Sequence, residues 1–166
     1  MKLRKLRLSD APLMLEWMHD ADVVKNLQAN FAAKTLADCE AFIRSCDDTS
    51  ENLHLAIVND ANEYMGTASL KHIRKDRKDA EFAITIRACA MGKGYSAYGM
   101  AGIIRIGLQE LGLDTVYWCV SGKNARAVRF YDKNGYCRVP ATAVDPVGYT
   151  PQQIEEYIWY AVKKQA

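Results

Sequence analysis

The segment from Met91 to Ala97, Met-Gly-Lys-Gly-Tyr-Ser-Ala, has the residue types and spacing that point most clearly to chemistry. Glycines allow left-handed backbone conformations, so successive N–H groups can turn towards one point. A helix that begins directly after the glycines would add the partial positive charge of its N-terminus. The segment is therefore typical of a phosphate or pyrophosphate site. The alternative is a tight strand-to-helix turn that binds no ligand.

Three known glycine motifs can be compared with this segment. A Walker A loop requires a glycine five residues before the Gly-Lys pair, where Arg87 stands. A serine-hydrolase elbow requires a glycine at Tyr98, and no histidine follows Ser96 to complete a triad in the usual order. The spacing of Gly92 to Ala97 fits the loose dinucleotide pattern, but Asp114 begins the next predicted strand rather than ending it. The first two motifs are excluded and the third is disfavoured.

Composition and charge exclude several classes of protein. The chain has 166 residues, 49% hydrophobic and 25% charged, so we expect one folded domain over residues 1–166. The net charge of +2 is scattered along the chain, which disfavours nucleic acid as a partner. No apolar run has the length of a signal peptide or a membrane span, so we expect a cytoplasmic protein without a membrane partner.

The cysteines and histidines give no sign of a metal site. Five cysteines without a C-x-x-C pair are more typical of a reducing compartment than of a disulfide framework. The three histidines, His19, His54 and His72, form no zinc-binding motif and none lies at zinc spacing from a cysteine. We therefore expect no metal.

Hydrophobic periodicity predicts the elements that must position the glycine segment. In the first half it predicts a strand around Leu3–Leu8, helices through Leu13–Trp17 and Thr35–Ile43, and three meandering strands at Leu53–Val58, Tyr64–Leu70 and Glu81–Ile86. The charged run from His72 to Asp79 is predicted to be a solvated hairpin tip.

The second half of the sequence alternates between helices and strands. The pattern predicts an amphipathic helix that closes at Gly112 and buries Met100, Ile103, Ile104, Gly107, Leu108 and Leu111. It then predicts a strand at Thr115–Val120, a helix from its cap Asn124 to Gly135, and strands at Tyr136–Pro140 and Tyr157–Val162. A loop with Asp145, Pro146, Gly148 and Pro151 is expected between the last two strands.

In this order the elements resemble the GNAT superfamily of acyl-CoA N-acyltransferases, particularly its RimJ/RimL-like branch, over nearly the whole chain. The resemblance rests on Leu13–Trp17 in the first helix, Glu81 opening the central strand, the segment Gly92–Ser96, and Asn-x₆-Tyr-x-Lys-x-Gly-Tyr from Asn124 to Tyr136. It implies an α+β fold, with a central, mostly antiparallel sheet splayed between its fourth and fifth strands and flanked by helices. The splay is expected between residues 83–87 and 115–120.

The resemblance also implies acetyl-CoA as co-substrate. Backbone amides of Gly92, Lys93, Gly94, Tyr95 and Ser96 would hold its pyrophosphate. Cys89 stands where the family has glutamine or arginine, and this departure changes only a side chain. The pantetheine arm would enter the splay beside Ile84, Thr85, Ile86, Arg87, Asn124 and Tyr131. Asn124 is also explained as a plain N-cap, and the two roles are compatible.

Acyl transfer to an amine needs a base, because an alkyl ammonium is almost fully protonated at neutral pH. The resemblance makes Glu81 that base, directly or through a water relay; the alternative is an exposed strand-end charge. Tyr131 would protonate the departing thiolate, or else is a packed core residue. A backbone N–H near Ile86 would stabilise the oxyanion. A covalent route through Cys119 is disfavoured, because no histidine is placed by sequence to activate it.

The identity of the acceptor is the part of the expected reaction that the sequence determines least. The resemblance implies an acceptor cleft around Trp17, Asn26, Phe31 and Glu81 and the loop at Tyr149, although Trp17 and Phe31 are also typical of a core. We expect direct transfer of acetyl to a primary amine of a small molecule, an amino sugar or a peptide N-terminus. The alternative is a non-catalytic acyl-CoA-binding sensor or assembly module. The resemblance also allows a homodimer, because the closing strands of this family often pair between subunits.

Overall fold

The computed structural model describes residues 1–27 and 29–165. Within these residues seven strands form one sheet in the order β1-β2-β3-β4-β5-β7-β6. The strands are β1 (Lys2–Lys5), β2 (Leu53–Val58), β3 (Tyr64–Arg74), β4 (Asp79–Ile86), β5 (Thr115–Ser121), β6 (Cys137–Val139) and β7 (Tyr157–Lys163). All neighbours are antiparallel except β4 and β5, which are parallel. The mostly antiparallel α+β fold is confirmed.

The helices flank this sheet. They are α1 (Ala11–Met18), α2 (Ala21–Val24), α3 (Leu36–Ser45), α4 (Tyr95–Arg105, continued by a π-helical turn), α5 (Ala125–Lys133) and α6 (Pro151–Glu156). The predicted start of α3 is confirmed by a capping box, in which Thr35 and Asp38 exchange backbone and side-chain hydrogen bonds. The loop predicted around Pro151 is wrong, because a second capping box at Thr150 and Gln153 starts α6 there. None of the helices in the described residues is long and apolar enough to cross a membrane.

The parallel strands β4 and β5 are paired only at their beginnings. The register runs from Asp79 opposite Thr115 to Glu81 opposite Tyr117, although both strands continue beyond it. The predicted splay is thus confirmed, but on β5 it begins at Trp118 rather than at Thr115. The reason is that the backbone N–H groups of residues 114 and 115 both donate to the carbonyl of Lys78, which holds the strands together at this end.

The two faces of the sheet are covered differently. On one face Phe82 and Ile86 of β4 join a large core with α4 and α5, which includes Trp118 and Tyr131. On the other face one cluster lies under α1 and α3 against β2 and β3, and a separate cluster contains Tyr117 and Trp159 of β5 and β7. Because side chains alternate along a strand, residues 81, 83 and 85 of β4 face the space between those two clusters.

Helix α4 lies close to the sheet because its inner surface carries glycines. A Cβ added to Gly99 would overlap the Ile57 side chain, and one added to Gly102 would overlap Leu3. The predicted apolar stripe of this helix is buried at Met100, Ile103, Ile104, Gly107 and Leu108. Leu111 departs from the prediction and is 47% exposed. The close contact places the N-terminus of α4 next to the end of β4.

The charged hairpin between β3 and β4 is only partly solvated. The strands extend to Arg74 and begin at Asp79, so the exposed tip shrinks to residues 75–78. Arg74 and Asp79 form a two-point ion pair with N–O distances of 2.6 and 2.7 Å. Arg74 also donates to the carbonyls of Val144 and Asp145. The prediction of a solvated run is wrong for this pair, because the segment before α6 covers it.

Candidate active site

The glycine segment forms a left-handed turn at the start of α4. Gly92 and Gly94 have φ angles of +74° and +87°. Gly94 is the N-cap of the helix, and no side chain of the residues that the structure describes caps the N-terminus. The first helical N–H groups, including those of Tyr95 and Ser96, have no acceptor within a helix. The turn therefore offers the backbone donors and the dipole that an anion needs.

The edge of β4 that faces the splay also carries free backbone donors. The N–H of Arg87 donates to the Met65 carbonyl of β3 at 2.9 Å. Alternate residues of an antiparallel strand direct their backbone groups to the same edge, so the N–H groups of Ile84 and Ile86 point to the opposite, splayed edge. The N–H predicted near Ile86 is thus available to an oxygen that enters the splay.

The side chain of Arg87 is engaged elsewhere. Its guanidinium bonds both carboxylate oxygens of Glu16 at 3.0 Å, one oxygen of Glu63 at 3.0 Å and the carbonyl of Tyr64 at 2.9 Å. Arg87 is only 7% exposed. It therefore ties α1 to the start of β3, and neither its guanidinium nor its N–H, which bonds Met65, is free for the predicted contact with a ligand in the splay.

Glu81 lies at the closed end of the splay, where the pairing of β4 and β5 stops. It is 4% exposed, so the alternative of an exposed strand-end charge is wrong. Its Oε1 accepts a hydrogen bond from the hydroxyl of Tyr149 and lies 3.8 Å from the Lys71 ammonium. A buried carboxylate is thus held from two sides, which fits a group that works from a fixed position.

Tyr149 connects Glu81 to Cys119, and the sequence did not predict this network. The Cys119 thiol donates to the Tyr149 hydroxyl, with an S–O distance of 3.4 Å. Burial is the main reason that the pKa of Tyr149 is raised. Burial also raises the pKa of the Cys119 thiol to about 11. Because the thiol keeps its proton at neutral pH, Cys119 is a poor nucleophile.

Tyr131 lies on the opposite face of the sheet from Glu81. Its ring packs against Trp118 and Tyr160, with centroid distances of 5.4 and 5.1 Å, so it has the packing contacts of a core residue. Its hydroxyl has no hydrogen-bond partner within the described residues. Burial raises its pKa, so the phenol remains protonated and can donate. Packing and donation are therefore compatible at this position.

Asn124 is the N-cap of α5, as predicted. Its Oδ1 accepts from the backbone N–H of Ala127 at 3.2 Å. Its Nδ2 donates to no group in the part of the chain that the structure describes. The cap uses only one end of the side chain, so the amide nitrogen is free for a ligand beside α5.

A cavity of about 270 Å³ opens on the same face as Glu81. Its walls are formed by side chains of α1 and α3 and by Phe31 from the segment between α2 and α3; the helical residues are Met14, Trp17, Met18, Cys39 and Phe42. Its floor is formed by Thr67, Ser69, Ala83, Ile84 and Thr85. Because Ile84 and Thr85 also form the splayed edge of β4, the cavity reaches the site of the predicted co-substrate.

The structure brings together some, but not all, of the predicted acceptor residues. Trp17 and Phe31 line the cavity, with ring centroids 5.1 Å apart. Asn26 is exposed and is not part of the cavity lining. Met14 and Met18 were not predicted to line the cavity, although their spacing from Trp17 places all three on one helix face.

Three further polar residues line the cavity: Lys34, Asp38 and His54. His54 Nδ1 lies 2.7 Å from the Ser69 hydroxyl. Burial, assisted by the positive charge of Lys71, lowers the pKa of His54, so it is neutral at pH 7. No cluster of three or more His, Cys, Asp or Glu side chains in residues 1–27 and 29–165 is arranged to hold a metal ion.

Comparison with known proteins agrees with this geometry. The chain is 24% identical over 146 residues to an uncharacterized N-acetyltransferase p20 of Bacillus licheniformis, covering 82% of this chain and 81% of the relative. The fold is similar to the spermidine N-acetyltransferase of Vibrio cholerae solved in complex with CoA and spermine. The TM-score is 0.80 at 15% identity, with 98% and 95% of the two chains covered.

A chimera of the Vibrio cholerae enzyme SpeG with hSSAT is also similar, with a TM-score of 0.73 at 16% identity, covering 99% of this chain and 96% of the chimera. At these identities both structures show the fold alone. The model of the acetyltransferase (GNAT) domain matches residues 1–136, well over half of the chain. The RimJ/RimL-like branch stays a prediction. The chain belongs to the GNAT acetyltransferase family.

Proposed function

We propose that this protein transfers an acetyl group from acetyl-CoA directly to a primary amine in a ternary complex. The acceptor classes are a small molecule, an amino sugar or a peptide N-terminus. The observation that carries the proposal is the splay between β4 and β5, which has a buried carboxylate on one face and a protonated phenol on the other. Such a gap lets the thioester meet an amine that approaches from the opposite side.

The residues around the splay fit CoA. The left-handed turn at Gly92 and Gly94 and the uncapped start of α4 would receive the pyrophosphate, which needs donors and positive potential. The free N–H group of Ile86, with the amide nitrogen of Asn124 on α5, would bond the amide groups of the pantetheine arm. CoA supplies an activated acetyl group as a thioester, and the protein supplies position and proton transfer.

Glu81 would act as the base, directly or through one water. An alkyl amine with a pKa of about 10.4 is only about one part in 10³ neutral at pH 7. Glu81 takes one proton from the ammonium, which gives the neutral amine. The amine nitrogen then forms a bond to the acetyl carbon, the bond from that carbon to the CoA sulfur breaks, and the second nitrogen-bound proton leaves to solvent. Tyr149 and Lys71 keep the carboxylate in place for this step.

Two donors would stabilise the charge that develops on oxygen and sulfur. The N–H of Ile84, which lies nearer to Glu81 along β4 than that of Ile86, would bond the carbonyl oxygen as it becomes negative. Tyr131 would donate to the departing sulfur. Because the pKa of Tyr131 is raised by burial and that of a thiol is about 8.5, the phenol acts as a hydrogen-bond donor and the thiol proton finally comes from solvent.

Thermal unfolding with acetyl-CoA, CoA and NAD added separately tests the cofactor site. A ligand at about 100 times its Kd adds about 2.7 kcal/mol, which for this chain length raises Tm by roughly 5–10 °C. We expect this shift with both CoA species and none with NAD. Failure of both CoA species at millimolar concentration would refute the proposal.

Release of free CoA thiol with added amines then separates an enzyme from a binding module. An active transferase releases thiol in proportion to acetylated amine, and mass spectrometry should find the amine 42 Da heavier, the approximate mass of an added acetyl group less one hydrogen. A CoA-induced Tm shift without thiol release across an amine panel would instead support the non-catalytic acyl-CoA-binding module.

A further inference from the structure

The cavity on the Glu81 face of the sheet has walls that suit an apolar ligand body. Most of the side chains opposite the sheet are aromatic or sulfur-containing, among them Trp17, Phe31 and Phe42. Its volume of about 270 Å³ corresponds to roughly nine waters at about 30 Å³ each. A six-carbon chain or a phenylethyl group fits this space. The amine would then emerge at Ile84 and Thr85, next to the splayed edge of β4.

The charges around the cavity disfavour a second ammonium. Asp38 is the one carboxylate in the cavity lining of the described chain, and it accepts hydrogen bonds from the Thr35 backbone and hydroxyl at 2.8 and 2.9 Å. Lys34 contributes a positive charge to the same lining. Glu16 lies on the same helix as Trp17, but its carboxylate is bonded by Arg87.

The remaining polar groups of the lining are neutral and mostly engaged. His54 bonds Ser69, and the Thr67 hydroxyl lies 2.7 Å from the Tyr64 hydroxyl. The charge of Asp38, the one lining carboxylate of the described residues, is balanced by the nearby Lys34, so a cation that entered the cavity would lose its hydration without gaining a net negative charge. Burial of an unpaired charge is strongly unfavourable, whereas burial of CH₂ groups is favourable.

We propose that this cavity selects a primary monoamine with an apolar aliphatic or aromatic body and discriminates against polyamines. This inference rests on the proposed acetyl transfer and names its acceptor class. The fold is shared with the spermidine N-acetyltransferase of Vibrio cholerae, but the lining charges of this chain favour a different acceptor.

Hexylamine and 1,6-diaminohexane form a matched pair for the test, because they differ only by the second ammonium. We expect kcat/KM from CoA thiol release to be at least tenfold higher for hexylamine, even though the diamine offers two reactive ends. Spermidine should react more slowly still. An equal or higher kcat/KM for the diamine or spermidine would overturn the inference.

Substitution of Lys34 tests the charge argument. Lys34→Glu should reduce the preference for hexylamine at least threefold, mainly by raising kcat/KM for the diamine. Lys75→Glu is the control, because Lys75 is an exposed lysine at the hairpin tip, away from the cavity lining. An identical response of the two variants would contradict a role for the cavity charges.

A binding measurement keeps the two proposals distinguishable. With CoA present, hexylamine should raise Tm further, and 1,6-diaminohexane at the same concentration should not. If CoA shifts Tm but hexylamine does not, the acceptor inference fails while the cofactor site stands. If CoA itself produces no shift, the proposed function fails and the acceptor inference falls with it.

Discussion

Replacement of Glu81 by glutamine removes a negative charge at the closed end of the splay and changes little else. The amide oxygen can still accept the hydrogen bond from Tyr149. The Lys71 ammonium is 3.8 Å away and its side chain is 36% exposed, so water can replace the lost partner. The perturbation therefore acts on proton transfer rather than on the fold.

The expected effects of Glu81→Gln on stability and on the reaction rate differ widely. An ion pair with one partly exposed member contributes about 0–1 kcal/mol, so Tm should change by less than roughly 4 °C. Loss of a general base lowers the rate about 10²–10⁴-fold, which corresponds to about 3–5 kcal/mol of activation free energy. The variant should bind CoA with an unchanged Tm shift.

The pH dependence of kcat/KM gives the sharpest assay. Without a base, only the neutral fraction of the amine reacts, so kcat/KM of Glu81→Gln should rise about tenfold per unit between pH 7 and pH 9. The unmodified protein should show a flatter profile. Glu155→Gln, which removes an exposed carboxylate on α6, is the control and should behave like the unmodified protein. A Glu81→Gln variant with more than a tenth of the normal rate and an unchanged pH profile would refute the assignment.

Three other parts of the site can be tested by substitution. Tyr131→Phe keeps the packed ring, so Tm should hold within about 2 °C while kcat falls at least tenfold; near-normal turnover would mean that Tyr131 only packs. Gly94→Ala places a Cβ at φ +87°, and its control Gly112→Ala places one at φ +70°. Each should lower the free energy of unfolding by about 1–2 kcal/mol, but only Gly94→Ala should abolish the CoA-induced Tm shift. Because the pKa of Cys119 is about 11, its rate of alkylation should rise about tenfold per pH unit between pH 8 and pH 10. Cys119→Ser should keep at least half of the activity, and an inactive serine variant would instead support a covalent route.

Local chemistry in the sequence was sufficient to predict most of the helices and strands and the glycine turn. Thr35 and Asp38 cap a helix because their hydrogen bonds join groups three residues apart. The left-handed turn at Gly92 and Gly94 depends on the absence of a Cβ, a property of the residue itself. Leu53–Val58 was predicted with its observed bounds, because apolar strand residues lie between clear turn signals.

Contacts between distant parts of the chain decided the rest of the site. Tyr149 and Glu81 are 68 positions apart, and Arg87 and Glu16 are 71 positions apart. No periodicity connects such pairs, since their contact depends on which face of the sheet each segment covers. The burial of Glu81, the engagement of the Arg87 side chain and the charge balance of the cavity all follow from that packing. The sequence by itself determined which chemical groups are present and where the backbone turns, and only the tertiary structure decided which of those groups meet and which are screened from water.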